Sequence, residues 1–323
     1  MNDNLIIAMP SKGRIMDASY KFFEHAGLNI RRPNQAREYV GKIKGVANVD
    51  VWFMSPAEIA ANLETGSINL GVTGEDLLRE TAVDMQSTIA LVKPLGFGCA
   101  NVVVAVPSSW IDVSTMADLD DVCMDFRLRH QRPLRVATKY LLLTRRFFAH
   151  HGLSDYRIVE SSGATEGAPA AGIAEVIVDI TSTGETLAAN SLKVLQDGVV
   201  LKSEVHLAAS VTASWSRKAK TALAQVLEMV VAKDDASSTF FVCFQNSKRA
   251  GKATKGLAKK YGCLISKTPP PDGELQCPKE NLYAVVQHLR RTGATGIVVR
   301  AAEYVFSESN LLLDELNRRL SRG

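Results

Sequence analysis

Four hydroxyl side chains and one glycine fall within six consecutive positions, Thr181-Ser182-Thr183-Gly184-Glu185-Thr186, directly after the run Val176-Ile177-Val178-Asp179-Ile180. A short β-branched apolar run of this kind reads as a buried strand, and Leu187-Ala188-Ala189 continues as helix. A strand that ends in a hydroxyl-rich turn opening a helix gathers unpaired backbone N–H groups and the positive end of the helix dipole at one point. The chemistry this serves is anion binding, with phosphate as the natural occupant. Asp179 stands at the carboxyl end of the strand. Too acidic to touch a phosphate, it is expected to face a sugar diol or a metal ion. Ordinary helix capping draws on the same residue types, and it is the density of hydroxyls beside an acid that points further.

Two other places repeat the pattern of a strand ending where a helix starts. The apolar strand Leu5 to Met9 closes at Pro10, and Ser11-Lys12-Gly13-Arg14 leads into a helix with Ile15, Ala18, Phe22 and Ala26 on one face. Ligands of open α/β sheets bind at the carboxyl ends of strands, so Lys12 and Arg14 are candidates for polyphosphate contact, against the reading of plain surface cations. Ile68 to Val72 runs into Thr73-Gly74-Glu75-Asp76, an echo of Thr183-Gly184-Glu185-Thr186. Asp76 is either a first-turn helix acid or a ligand contact. His150 and His151 end a helix, and no further ligands at metal-binding spacing accompany them.

The elements that position these residues alternate strand and helix, which implies an α/β fold with largely parallel sheets. Val51 to Met54, Asn101 to Val106, Leu134 to Ala137 and Tyr156 to Ser161 read as strands. Helices are expected at Pro56 to Glu64, Leu141 to His150, Ala170 to Ile173 and Ser216 to Ala232. Lys93-Pro94-Leu95-Gly96-Phe97-Gly98 reads as a crossing into a second lobe. Asp118 to Asp125 stays unclassified. Lys233 to Ser238 reads as a polar linker. Beyond it the order is strand (239–244), helix (250–261), strand (263–267), a turn at Pro269-Pro270-Pro271-Asp272-Gly273, strand (274–277), helix (280–292) and strand (295–299), the ferredoxin-like βαββαβ unit. A last helix, 308–320, carries Leu312, Leu316 and Leu320, suited to packing on this domain or on a neighbouring subunit.

Composition narrows the function classes. The 323 residues predict two to three domains, and a net charge of +4 with scattered cations gives no nucleic-acid footprint. Five cysteines without a Cys-x-x-Cys pair indicate neither a disulfide framework nor a zinc knuckle. With no signal peptide and no membrane-spanning run, the expectation is a soluble, cytoplasmic protein.

Taken together, Lys12-Gly13-Arg14, Leu70 to Asp76, Gly96-Phe97-Gly98, Ala137-Thr138-Lys139-Tyr140, and Glu166-x-Ala168-Pro169 leading to Asp179 through Asn190 resemble ATP phosphoribosyltransferase of the long, three-domain form, which opens histidine biosynthesis. The resemblance implies a two-lobed, periplasmic-binding-protein-like catalytic unit followed by the ferredoxin-like domain. The first lobe comprises 1–98 and 192–232, the second 99–191, and the C-terminal regulatory domain 239–323. It implies displacement of pyrophosphate from C1 of phosphoribosyl pyrophosphate by N1 of the ATP adenine, Mg²⁺ dependence, histidine feedback, and a homo-oligomer, dimer to hexamer. On this resemblance Thr181, Ser182, Thr183, Gly184, Glu185 and Thr186 hold the sugar phosphate, and Asp179 with Glu175 orients the ribose. Lys12, Arg14, Asp76, Lys139, Tyr140 and Glu166 face the nucleotide. Ser55 stands where the family commonly has arginine, and Glu175 where it has aspartate. Two alternatives stay open, namely a phosphoribosyltransferase of the other common fold, which normally has two adjacent acids where Asp179 adjoins Ile180, and a non-catalytic ligand-binding module.

Overall fold

The computed structural model describes residues 3–31, 40–161, 163–245, 250–265 and 272–321. Three sheets organise them. The first has seven strands in the order Ile30–Arg31, Val40–Ile43, Val49–Met54, Leu5–Pro10, Leu70–Gly74, Val205–Ser210 and Ile89–Pro94. Leu5–Pro10 lies at its centre, parallel to both neighbours, and every residue of this strand is buried, as a continuous apolar run requires. The second sheet orders Leu192–Ser203, Ala100–Pro107, Val176–Thr181, Leu134–Thr138 and Tyr156–Glu160. Both sheets are mixed rather than largely parallel, because the chain crosses between them twice. The outgoing strands Ile89–Pro94 and Ala100–Pro107 each pair antiparallel with the returning ones, Val205–Ser210 and Leu192–Ser203.

The crossing is tightly laddered. Leu95 N–H donates to Val205 O, and Val205 N–H donates to Phe97 O. Gly98 between them has φ +66°, and a Cβ there would lie 2.7 Å from the Val205 side chain, so glycine is required. The segment 192–232, expected in the first lobe, divides at this crossing. Residues 192–203 are hydrogen-bonded into the second sheet, and the chain joins the first only from Val205.

The third sheet orders Leu264–Ile265, Asp272–Pro278, Thr239–Gln245 and Thr295–Ala301, all antiparallel, with helices Ala250–Tyr261 and Leu282–Arg291. This is the split βαβ arrangement, with its own core of Val242, Phe244, Leu257, Leu275, Cys277, Val285 and Leu289. Residues 266–271, which carry the end of the expected strand and the three prolines of the expected turn, lie outside the described residues.

Three local expectations change, and one unclassified stretch is resolved. The polar stretch 233–238 is the last part of one long helix, Arg217–Ser238, in which Ala232 and Ala236 are buried and Asp234 is ion-paired to Lys93 of the first sheet. The final helix, Leu311–Leu320, turns away from the C-terminal sheet. Its Leu316, 2% exposed, joins the core of the first sheet, with Leu313 and Leu320 packed alongside. The acidic stretch 118–125 lies inside a helix, Met116–His130, started by a capping box between Thr115 and Asp118. Ala170 to Ile173 is a run of turns and not a helix.

Candidate active site

The strand Val176–Thr181 occupies the middle of the second sheet, and period-two alternation decides which way its residues face. Val176, Val178 and Ile180 enter one apolar cluster, while Ile177 enters the cluster on the opposite face with Ala137, Ala168 and Leu187. Asp179 therefore shares a face with Ile177. Because Ile177 pairs with Ala137 on the parallel neighbour, Asp179 comes level with Lys139. The short 3-10 turn Thr165–Gly167 brings Glu166 near the same acid. Burial pushes the Asp179 carboxyl above the ordinary aspartate range. The Ile180 N–H, donating to Oδ1 at 2.8 Å, and the Lys139 ammonium act the other way, and Glu166 adds to the rise. One acid is thus held partly desolvated between a cation and a second acid, at the carboxyl end of a central strand.

The loop after it is built as a cup. Thr181 Oγ1 accepts the Gly184 N–H at 2.9 Å, which folds the turn, and Gly184 takes φ +80°. Ser182 and Thr183 are exposed at its tip. Thr183 Oγ1 also meets the Glu185 N–H at 3.4 Å. The helix that follows, Glu185–Ala189, anchors through Leu187 and leaves Thr186 exposed. Lys12 and Arg14 are likewise exposed, at the carboxyl end of the central strand of the first sheet, where Lys12 precedes the helix Gly13–His25.

Three expected site residues are bonded to groups of the protein itself. Glu175 sits at the amino end of the strand, about 13 Å from Asp179 at the usual strand rise. There it accepts from Arg135 Nη2 at 2.7 Å, Arg132 Nη2 at 2.9 Å and the Arg135 N–H at 2.8 Å. Burial alone raises an acid, but these donors outweigh it and hold the Glu175 carboxyl at about 2. Glu175 is thereby tied to Arg132 and Arg135, at the end of the strand away from Asp179. Tyr140 and Asp76, expected at the nucleotide, bond each other: the Tyr140 hydroxyl donates to Asp76 Oδ2 at 2.7 Å, and its ring is fully buried. Burial, then the Asp76 charge, pushes the phenol far up. Ser203 Oγ donates to Asp76 Oδ1 at 3.0 Å and accepts the Asp76 N–H at 3.0 Å.

No local pattern pointed to Ser203 or to Glu80, whose carboxylate crosses between lobes to the Leu142 and Leu143 N–H groups. Contacts of such long sequence separation leave no local pattern. Ser55 caps the helix Pro56–Thr65 reciprocally with Glu58, which is the use this chain makes of the position. A groove of about 600 Å³ on the second lobe, lined by Trp110, Phe126 and His130, shares no residue with this constellation.

Residues 55–231 match the family model described as HisG: ATP phosphoribosyltransferase. Two relatives named ATP phosphoribosyltransferase agree over nearly all of both chains. That of Nitrobacter winogradskyi is 47% identical over 319 residues, covering 98% of each, and that of Rhodopseudomonas palustris strain HaA2 is 48% identical over 322 residues, again 98% of each. The chain belongs to the ATP phosphoribosyltransferase family. It is a transferase that joins a phosphoribosyl group to ATP in the first step of histidine biosynthesis. The fold agrees with a solved structure, the ATP phosphoribosyl transferase (HisG:HisZ) complex from Thermotoga maritima. The TM-score is 0.54 at 23% identity, over 70% of this chain and 96% of that one. The enzyme is thus a two-lobed α/β catalytic unit with an additional C-terminal sheet domain. Membership of this family sets aside the other-fold phosphoribosyltransferase and the non-catalytic binding module. No helix among the described residues is long and apolar enough to cross a membrane.

Proposed function

We propose that the Thr181–Thr186 loop receives the 5-phosphate of phosphoribosyl pyrophosphate and that Asp179 faces the ribose, where N1 of the ATP adenine displaces pyrophosphate from C1. The observation that carries this reading is the position of Asp179. Its carboxylate is raised by burial yet steadied by Lys139, one residue pair from a loop whose hydroxyls lie at the surface. Such a group favours positive character at the sugar carbon as the leaving group departs. Lys12 and Arg14 then face the nucleotide phosphates, Lys139 bridges the two substrates, and Glu166 borders the sugar. Adenine N1 starts unprotonated, so these residues need only orient and stabilise.

For Mg²⁺, no group of three or more candidate ligand side chains occurs among the described residues. Asp179 and Glu166 are the acids that come together at the loop. That donor set fits an ion carried mainly by substrate phosphates, the usual habit of Mg²⁺ beside one or two carboxylates. When bound, the ion neutralises charge on the departing pyrophosphate. Asp179 and Glu166 are the residues that would hold it.

The same reading makes the enzyme cytoplasmic, oligomeric as dimer or hexamer, and subject to histidine feedback through the domain from 239 onward. The loop assignment is tested with Thr183→Val and Thr186→Val. Each removes a donor to a charged oxygen, an interaction typically worth about 1.5–3 kcal/mol. The Michaelis constant for the sugar phosphate should rise about tenfold or more with the melting temperature unchanged. Unaltered sugar-phosphate constants in both variants refute the phosphate cup.

A further inference from the structure

The helix Leu141–His150 begins directly after Lys139 and Tyr140, and it has no cap of its own. Tyr140 occupies the capping position without a side-chain hydrogen bond, and no acid lies in the first turn. Four other helices are capped locally, by Ser55, Thr115, Ser216 and Asn310, and several, such as Gly13–His25 and Leu282–Arg291, have no side-chain cap at all. Here the acceptor comes from the other lobe. Glu80, near the end of the first-lobe helix Glu75–Thr81, places Oε1 at 2.9 Å from the Leu142 N–H and Oε2 at 3.0 Å from the Leu143 N–H. Both carboxylate oxygens are used, each on an otherwise unpaired first-turn donor, where the helix dipole also favours negative charge.

The neighbouring contacts share this geometry. Arg146, one turn further along the helix, donates to the carbonyl of Val83. Leu77 of the first-lobe helix packs against the apolar cluster of the second lobe. Tyr140 itself reaches Asp76. The corner that presents Lys139 to Asp179 is therefore fixed from outside its own lobe, and rotation of one lobe against the other along this edge breaks the cap.

We propose that Glu80 is a positioning residue for phosphoribosyl transfer. By capping Leu141–His150 across the lobe boundary, it holds Lys139 in register with Asp179 and sets how far the lobes can separate. This rests on the reading that Lys139 and Asp179 face the reacting sugar. A displacement of about 1 Å at a reacting centre can cost on the order of a hundredfold in rate, so the effect belongs to turnover more than to substrate binding.

The test compares Glu80→Ala with Glu80→Gln in the full chain. Glu80→Ala is expected to lower kcat at least tenfold and to change the Michaelis constants for ATP and the sugar phosphate less than threefold. Hydrogen exchange should quicken at the Leu142 and Leu143 amides and not across the lobes, with the melting temperature lowered by no more than the few degrees that a lost cap costs. Glu80→Gln keeps one acceptor and should recover most of the turnover and part of the amide protection. Unchanged exchange at Leu142 and Leu143 in Glu80→Ala overturns the cap. Quickened exchange with normal turnover overturns the proposal at its other support, the placement of Lys139 in the site. A fall in turnover accompanied by general loss of protection across both lobes reduces Glu80 to a stability residue, which also overturns it.

Discussion

Two acids on one strand show how position decides what a carboxylate does. Glu175 immediately precedes the strand Val176–Thr181, among arginines, and Asp179 lies toward its carboxyl end beside the loop. Their charges are shifted in opposite directions, Glu175 down to about 2 and Asp179 up. For Glu175 the folded-state value lies below the unfolded one. Its contribution is therefore complete above about 4.3 and is lost as pH falls through that range toward 2. Glu175→Gln should lower the melting temperature at neutral pH, lessen that acid-side loss, and leave turnover within about twofold, as expected if substrate binds at the loop end of the strand as we propose. For Asp179 the sign is reversed, so at neutral pH its ionised form costs stability. Asp179→Asn should cut turnover by an order of magnitude or more while the melting temperature holds or rises. Turnover near wild type in Asp179→Asn, measured on the preparation used for melting, removes the catalytic assignment. The sequence made both acids candidates because residue type and spacing are visible there. The arginines that close on Glu175 from about forty positions away are not.

Most strands and helices were legible from their apolar runs and stop residues, and Leu141–His150 falls where its pattern placed it. The misses share a cause, which is tertiary contact overriding local composition. Lys233 to Ser238 is polar enough for a linker, yet it stays helical because Ala236 is buried and Asp234 meets Lys93. The leucines of 311–320 announced an apolar face without saying what it covers. Leu313, Leu316 and Leu320 cover the first sheet, and Leu312 borders Ala90, Leu91 and Val92. Tyr304 ties the approach to this helix, its hydroxyl lying where a Cβ on Gly27 would go and its ring beneath Lys233. Leu316→Ala should therefore destabilise the catalytic unit by roughly 2–5 kcal/mol, the usual range for a buried leucine. Chemical denaturation checks this, and a loss under 1 kcal/mol would mean that the helix does not belong to that core. By the same argument, a chain ending at Ala232 strips this cover and should unfold more readily than the full protein.

At the scale of the whole molecule, the C-terminal sheet is joined to the first lobe at both ends. The chain enters it from the helix Arg217–Ser238 and returns beside the same helix, where Val305 N–H donates to Ala232 O and Ser307 Oγ donates to Asp235 Oδ2 at 2.8 Å. Removing the regulatory function we propose for this domain therefore calls for an internal excision, because a simple truncation would take the returning helix as well. The ladder shows where to cut: Phe240 pairs with Ala301 on adjacent antiparallel strands, so their Cα atoms lie about 5 Å apart. Deleting 241–300 and closing the gap with two or three glycines leaves both the long helix and the Leu311–Leu320 helix in place. The sheet that is lost has its own apolar core, so the cut exposes little of the first lobe. The excised enzyme is expected to form phosphoribosyl-ATP and to be indifferent to histidine at concentrations that inhibit the full chain. Retained inhibition at the same histidine concentration would move the regulatory site into the two lobes. Loss of both activity and the folded transition would mean instead that the first lobe depends on the sheet it carries.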